Sequence, residues 1–415
     1  MKEEILKKVI DTILDEFNNN SNVLVEDMPN FSSNYYRYHS ESTKTWNDNQ
    51  RCMYKGCKSL TIAGSHTIQK SGPLKVIADD NFVYHPNLYK GEIKMANKHI
   101  GVASTFPGFC SEHESIFSVF EKKKEICEEA DVRLQVFRTI CRQIYSLEHG
   151  VRNYPDMKEN YSDIKKTYFR NKLVEKGVER DVEIHVQTLM NMSMDTRMNV
   201  TSTINQTVKA ALGQARSLYD NMIKDIKEER SSRIHNYSIK IDKTFPVTLS
   251  GFGNLYVTKG SAIDYVPLVL NIIPSEDDTV LIMSGPIRYK RFIDNYMKYN
   301  MQNELFIICM IEQWMLYGSD HWFIKPSVWK GLGNVEQDLI LSEMFNLTKD
   351  INSPASVSIF NELKSKLIYQ VENEIGINEL PYPIKLVVQR EKEKINNKET
   401  SNKRSIEGMF KSFMS

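Results

Sequence analysis

Apolar and polar positions divide the chain into stretches of different period. From Glu3 to Phe17 the apolar side chains are Ile5, Leu6, Val9, Ile10, Ile13, Leu14 and Phe17. This i, i+3, i+4 spacing predicts an amphipathic helix that packs one face on the body of the protein. Asn18 to Gln50 is rich in Asn and Ser and carries Tyr35, Tyr36, Tyr38 and Trp46, so it reads as loop with at most one short strand. From Arg51 to Glu121 the elements are short. Leu60-Thr-Ile-Ala reads as a strand, Leu74-Lys-Val-Ile-Ala as a helix turn or second strand, and Asn81-Phe-Val-Tyr as a strand. A helix is expected from Ser111 through Ile116, Phe117, Val119 and Phe120.

Helical spacing then runs to about Glu148, with Arg133, Arg138 and Arg142 between Leu134, Val136, Phe137, Ile140, Ile144 and Tyr145. Tyr154-Pro155 breaks it, and a second stretch from about Lys158 to Arg230 contains no proline. Two long antiparallel helices are the simplest arrangement, and their Met-rich face suits plain core or a homo-oligomer seam. At about Ser231 the period becomes alternating. Tyr237-Ser-Ile-Lys-Ile, Gly253-Asn-Leu-Tyr-Val-Thr, Val266 to Pro274 and Thr279-Val-Leu-Ile-Met-Ser read as strands. Phe292 to Tyr299, Asn303 to Tyr317, Val335 to Phe345 and Ser358 to Glu374 read as helices, and Ile384 to Val388 as a last strand. Gln389 to Ser415 is mostly Lys, Glu, Asn, Arg and Ser, and disorder is expected over Gln389 to Arg404.

Composition narrows the class. Among 415 residues, 26% are charged and 41% apolar, with a formal net charge of +1. That excludes a wholly basic nucleic-acid binder while leaving room for a local basic patch. No apolar run is long enough for a membrane span, and the first residues lack the apolar core of a secretion signal. A cytoplasmic protein with no membrane role is expected. In that compartment paired cysteines are metal ligands more often than disulfides.

Such pairs occur. Three of the six cysteines and four of the nine histidines lie between Arg51 and Glu121. Cys52-x4-Cys57 forms one pair and Cys110-x2-His113 the other. Two donor pairs separated by strand and loop are the spacing of a tetrahedral site for structural Zn2+. A knuckle, a hairpin and a ligand-bearing helix start together make a treble-clef finger. The fold class expected is therefore α+β. It comprises an N-terminal helix and treble-clef-like zinc finger (1–120), a long helical hairpin (121–230), a C-terminal α+β domain (231–388) and a flexible tail (389–415).

Ser65-His66-Thr67-Ile68-Gln69 stands at the end of the first expected strand of the finger. With the two ligand pairs, it resembles the treble-clef zinc fold of His-Me-finger (HNH) nucleases over residues 51–121. The same pattern is similar to an uncharacterised group of bacterial proteins with Cys-x4-Cys, Ser-His and Phe-Cys-x2-His. The nuclease resemblance implies that His66 is the general base activating water against a phosphodiester of DNA or RNA, with a divalent ion such as Mg2+ at the leaving oxygen. Antiviral defence or toxicity is the setting implied. Ser65 stands where those nucleases have an acid or a histidine. The remaining signature positions have no obvious match; Asp79, Asp80, Asn81 and Glu114 are the candidates. Three readings of His66 stay open: a zinc ligand in place of His113, a catalytic base, or a hydrogen-bonding group within the finger. His85 and His99 read as ordinary loop residues.

Two further clusters carry chemistry. Asp320-His321-Trp322 lies near Ser327, which suits a hydrolase triad or, more simply, a helix stop followed by a Trp-anchored loop. The chain ends in Arg404-Ser405-Ile406-Glu-Gly-Met409-Phe410-Lys-Ser-Phe413. It resembles, loosely, the peptides that bind DNA sliding clamps, and a short helix folding back on its own chain fits as well. The alternative to a nuclease is a non-enzymatic, zinc-stabilised scaffold that binds a protein partner through its helices, C-terminal domain or tail.

Overall fold

A computed structural model of the chain describes residues 3–19, 44–62, 64–89, 92–152, 154–178, 180–193, 196–259, 262–344, 349–374, 376, 380–382 and 384–395. The protein is a mixed helix and sheet structure, α+β. In chain order, α1 (Glu3–Asn19) is followed by β1 (Ser65–His66), β2 (Phe82–Tyr89), β3 (Glu92–His99) and β4 (Thr105–Phe106). Then come α2 (Ser111–Glu114), α3 (Ser118–Lys123), α4 (Glu129–Arg152), α5 (Tyr154–Glu175), α6 (Val182–Met192) and α7 (Thr196–Lys227). Four strands follow: β5 (Ile234–Ile241), β6 (Val247–Lys259), β7 (Ala262–Pro274) and β8 (Thr279–Pro286). The C-terminal portion holds α8 (Lys290–Asn300), α9 (Glu304–Gln313), β9 (Trp322–Ile324), α10 (Pro326–Lys330), α11 (Asn334–Glu343) and α12 (Asn361–Glu374). A last helix, α13, covers 384–395. Among the described residues, no helix is long and apolar enough to cross a membrane.

The chain forms two compact units that interleave along the sequence: 1–48, 86–94 and 143–216 in one, and 49–85, 95–142 and 217–415 in the other. The first is helical. α1 lays Ile13, Leu14 and Phe17 against Phe169 and Leu173 of α5 and Val186 and Leu189 of α6. Phe17 and Phe169 meet at 4.9 Å between ring centroids. In the same unit Trp46 is buried against Tyr145, whose hydroxyl donates to the Trp46 carbonyl. Tyr35, Tyr36 and Tyr38 lie outside the described residues.

The strands form a seven-stranded sheet in the order β3-β2-β9-β6-β7-β8-β5, of which β5 to β9 lie wholly in the second unit. β6–β7, β7–β8, β5–β8, β6–β9 and β2–β9 are antiparallel pairs. β8 is buried along nearly its whole length, whereas the edge strand β5 is mostly part-exposed. Strands covered on both faces read as continuous apolar runs, which is why Thr279 to Met283 and Val266 to Ile272 stand out in the sequence. On one face, Thr139 of α4 bonds Ser250 of β6 at 2.7 Å and Asn271 of β7 at 2.8 Å. Opposite, Gly253 permits close approach: a Cβ there would lie 2.6 Å from Ile351 and 2.9 Å from the Gly318 carbonyl.

Several expected elements take another form. Residues 384–395 are helix, not strand. Ile384, Val387, Val388 and Glu391 follow i, i+3, i+4, i+7, and the β-branched residues disguise that helical period. The helix carries on through the first part of the expected flexible tail, with Glu391 buried; Arg404 to Phe413 lies outside the described residues. Leu60 to Ile62 is no strand. Only Leu60 makes a bridge, to Arg51, and both apolar side chains are exposed. The 158–230 stretch is three helices, because Gly177 (φ +78°) closes α5 and Ser193 adopts an extended conformation after α6. Tyr154-Pro155 opens a helix, a position where proline costs no hydrogen bond.

Candidate metal centre

The finger region builds its site from two short backbone devices. Cys52 donates its N–H to the Ser59 carbonyl, and Cys57 donates its N–H to the Tyr54 carbonyl, at 2.9 and 3.0 Å. Gly56 turns the knuckle with φ +91°, a conformation that a side chain would strain. The second pair comes from α2. Cys110 caps the helix in an extended conformation and His113 sits in its only turn, where residues three apart share a face. β1 pairs antiparallel with β4, Ser65 opposite Phe106 and His66 opposite Thr105, so the two halves are tied just before α2.

These devices bring Cys52, Cys57, Cys110 and His113 together, with one donor atom from each and all four within 4.8 Å of one another. Cys110 Sγ lies 3.2 Å from His113 Nδ1, Cys52 Sγ lies 3.7 Å from the same nitrogen, and Cys57 and Cys110 sulfurs are 3.9 Å apart. A tetrahedral ion with bonds of about 2.0 Å to nitrogen and about 2.3 Å to sulfur sets edges of roughly 3.5 to 3.8 Å. The cluster therefore has the donor set and spacing of a metal-binding site. Burial pushes the Cys52 thiol up to about 11, with the neighbouring Cys110 thiol adding to the rise, while the Ser59 backbone N–H pulls Cys57 down. A cation at the cluster would favour the ionised form of the raised Cys52 thiol. His113 is oriented by stacking on Tyr54, 4.1 Å between centroids and 18° between planes.

His66 is outside this set. Its ring is within hydrogen-bonding reach of the Ile100 carbonyl, and its Nε2 is buried with no partner. Burial lowers its proton affinity below the usual histidine range, and Arg138 and Lys70 press the same way against Glu121. Beside it lies a buried charge group that the sequence did not announce. Arg138 donates to Glu121 at 2.7 Å and to Glu114 at 2.9 Å, with its guanidinium 4.0 Å above the Phe117 ring.

The other candidates fall elsewhere. Asp79 accepts from the Ser327 backbone N–H at 2.7 Å and faces Lys325, and Asn81 accepts from Lys75. Asp80 and Asn81 form a turn with positive φ. Asp320, His321 and Ser327 do not form a triad. Asp320 pairs with Arg142 at 3.2 Å and His321 Nε2 bonds Ser104 Oγ at 2.8 Å, with both partners supplied from far along the chain. His85, expected in a loop, is buried in β2 with Nδ1 2.8 Å from the Trp322 carbonyl. Comparison with protein families, with curated proteins and with solved structures returns no match.

Proposed function

We propose that this chain is a zinc-stabilised protein acting on nucleic acid, with His66 as the general base of phosphodiester hydrolysis. Zinc suits the cluster because three thiolates and one imidazole are its preferred donors, and four protein ligands leave no open position for water. The ion would be structural, held by Cys52, Cys57, Cys110 and His113, and would tie the knuckle to α2 in a treble-clef finger. The observation that carries the catalytic reading is the state of His66. Its Nε2 is buried with no hydrogen-bond partner, and burial holds its proton affinity below the usual histidine value. An imidazole kept neutral and unpartnered near pH 7 is suited to take a proton from an attacking water.

A second, catalytic divalent ion does not fit. Glu114 and Glu121 converge on the Arg138 guanidinium, and Ser65 is buried with its hydroxyl facing the Phe109 N–H at 3.3 Å. Arg138 already fills the cation position, so the proposed chemistry is confined to the imidazole. Purified wild type should cleave DNA or RNA, and His66→Ala should lose roughly 10²- to 10⁴-fold of that activity with zinc content and melting temperature unchanged. With a lowered folded pKa, His66 stays in its base form as pH falls to 6.5, so the acid limb of the rate profile should lie below 6.5. Cleavage unaltered by the substitution would remove His66 from the reaction. The Arg138 arrangement favours a second reading, a non-enzymatic scaffold whose finger supports partner binding. Zinc-replete wild type without any cleavage would select it.

A further inference from the structure

A pocket of about 250 Å³ opens in the second unit between α8, α9 and α13. It has room for about eight waters at roughly 30 Å³ each. None of its lining residues belongs to the Cys/His cluster or to the surroundings of His66. Its floor is apolar, made by Phe306, Ile351 and Val387, and Tyr299 meets Phe306 edge-on at 5.2 Å. Polar groups converge on this floor. Gln313 and Asn352 also line the pocket, and their side-chain amides have no hydrogen-bond partner among the described residues. The Tyr296 hydroxyl accepts from Trp314 Nε1 at 3.2 Å, which leaves its own proton to donate.

Beside the pocket, Arg390 adjoins a buried ion network. Glu391 is bonded by Lys364, Lys394 and Arg390, and Lys364 also bonds Glu312. Three cations therefore face two carboxylates. Arg390 is the cation that lines the pocket, and it spends only Nε on Glu391, at 3.1 Å. The rest of its fork has the geometry to take an anion through paired N–H groups.

We infer that this pocket binds a mononucleotide, with the phosphate on Arg390, the base against the Tyr299 and Phe306 wall, and the base edge read by Gln313 and Asn352. Side-chain amides carry a donor and an acceptor side by side, which matches the paired donors and acceptors of a base edge. An apolar wall with a few placed polar groups is the general form of a small-ligand site.

The test is calorimetric titration of the full chain with adenosine, guanosine, cytidine and uridine monophosphates, with adenosine and inorganic phosphate as controls. At least one monophosphate should bind, and Arg390→Gln should weaken it at least tenfold with an unchanged melting temperature. Should Arg390→Gln fail to fold, Tyr299→Ala, at an exposed ring, should weaken the same ligand at least threefold. Absence of binding by all four at millimolar concentration overturns the proposal. So does equal binding of adenosine, which removes the phosphate from recognition, or equal binding of inorganic phosphate, which removes the base.

Discussion

Two knots of ionisable groups hold this chain together in opposite ways. In one, Cys52, Cys57, Cys110 and His113 meet at a point, with Cys52 and Cys110 buried and Cys57 and His113 half-buried. In the C-terminal helices, Lys364 lies between Glu312 and Glu391, all three at most 1% exposed. Glu312 also accepts the backbone N–H groups of Ile359 and Phe360. At the cluster, four donors from two segments would be held by one exchangeable ion. The helical network carries its own counter-charges, which fix which helices meet, α9 to α12 and α12 to α13.

Removing the ion should therefore split the two regions most widely. Metal analysis of wild type should give one zinc per chain, and Cys110→Ser should give less than a tenth of that. Structural zinc binding is worth about 10 to 16 kcal/mol in small fingers. Hydrogen exchange after chelation should show residues 51–68 and 105–123 losing protection while β6, β7 and β8 keep theirs. Loss of protection throughout would mean that the sheet leans on the finger.

Lys364→Met attacks the other knot. It leaves two buried carboxylates without their shared cation, a change that costs about 3 to 5 kcal/mol. Thermal melting should fall steeply while zinc content stays at one per chain. Retention of the wild-type melting temperature would show that Glu312 and Glu391 are supported by their other donors.

A smaller separation should appear on acidification. Burial pushes the Glu391 carboxyl up, but Lys364 and Lys394 outweigh it and hold the group at about 2. A depressed carboxylate contributes stability that is fully present above its unfolded value of 4.5 and is lost as pH falls toward 2. Protons would also displace zinc from its thiolates, whose ordinary proton affinity lies well above that of a carboxylate. A zinc indicator should thus report release at a higher pH than the one at which buried Trp314 and Trp322 change fluorescence. Coincident transitions would tie the two regions into one cooperative unit.

How much of this was legible depends on where the partners lie. The Cys/His pairs could be found because short spacing carries the signal, two residues within a knuckle and two within one helical turn. Strands β6 to β8 were legible because their apolar runs are long. Arg138, Arg142 and Lys364 were not, since an arginine within a helical pattern reads as solvated until its partner is known. Arg142 finds its partner 178 residues away. Phe82 to Tyr84 read as strand from the sequence, but the pairing did not, since the partner Ile324 of β9 is far along the chain. His66 stood in plain view, but its role turns on its burial and its unpartnered Nε2, which sequence does not place.

The shortest α-helix among the described residues links two sites. α2 has four residues, and its neighbours His113 and Glu114 look in two directions, one toward the sulfurs and one toward Arg138. A body that short has no internal give, so its two ends share one degree of freedom. Whatever tips His113 away from the thiols also swings Glu114 off the guanidinium, leaving that cation with Glu121 and the Phe117 ring as its remaining company. The state of the finger is thereby registered on α4, the helix that lies across the sheet.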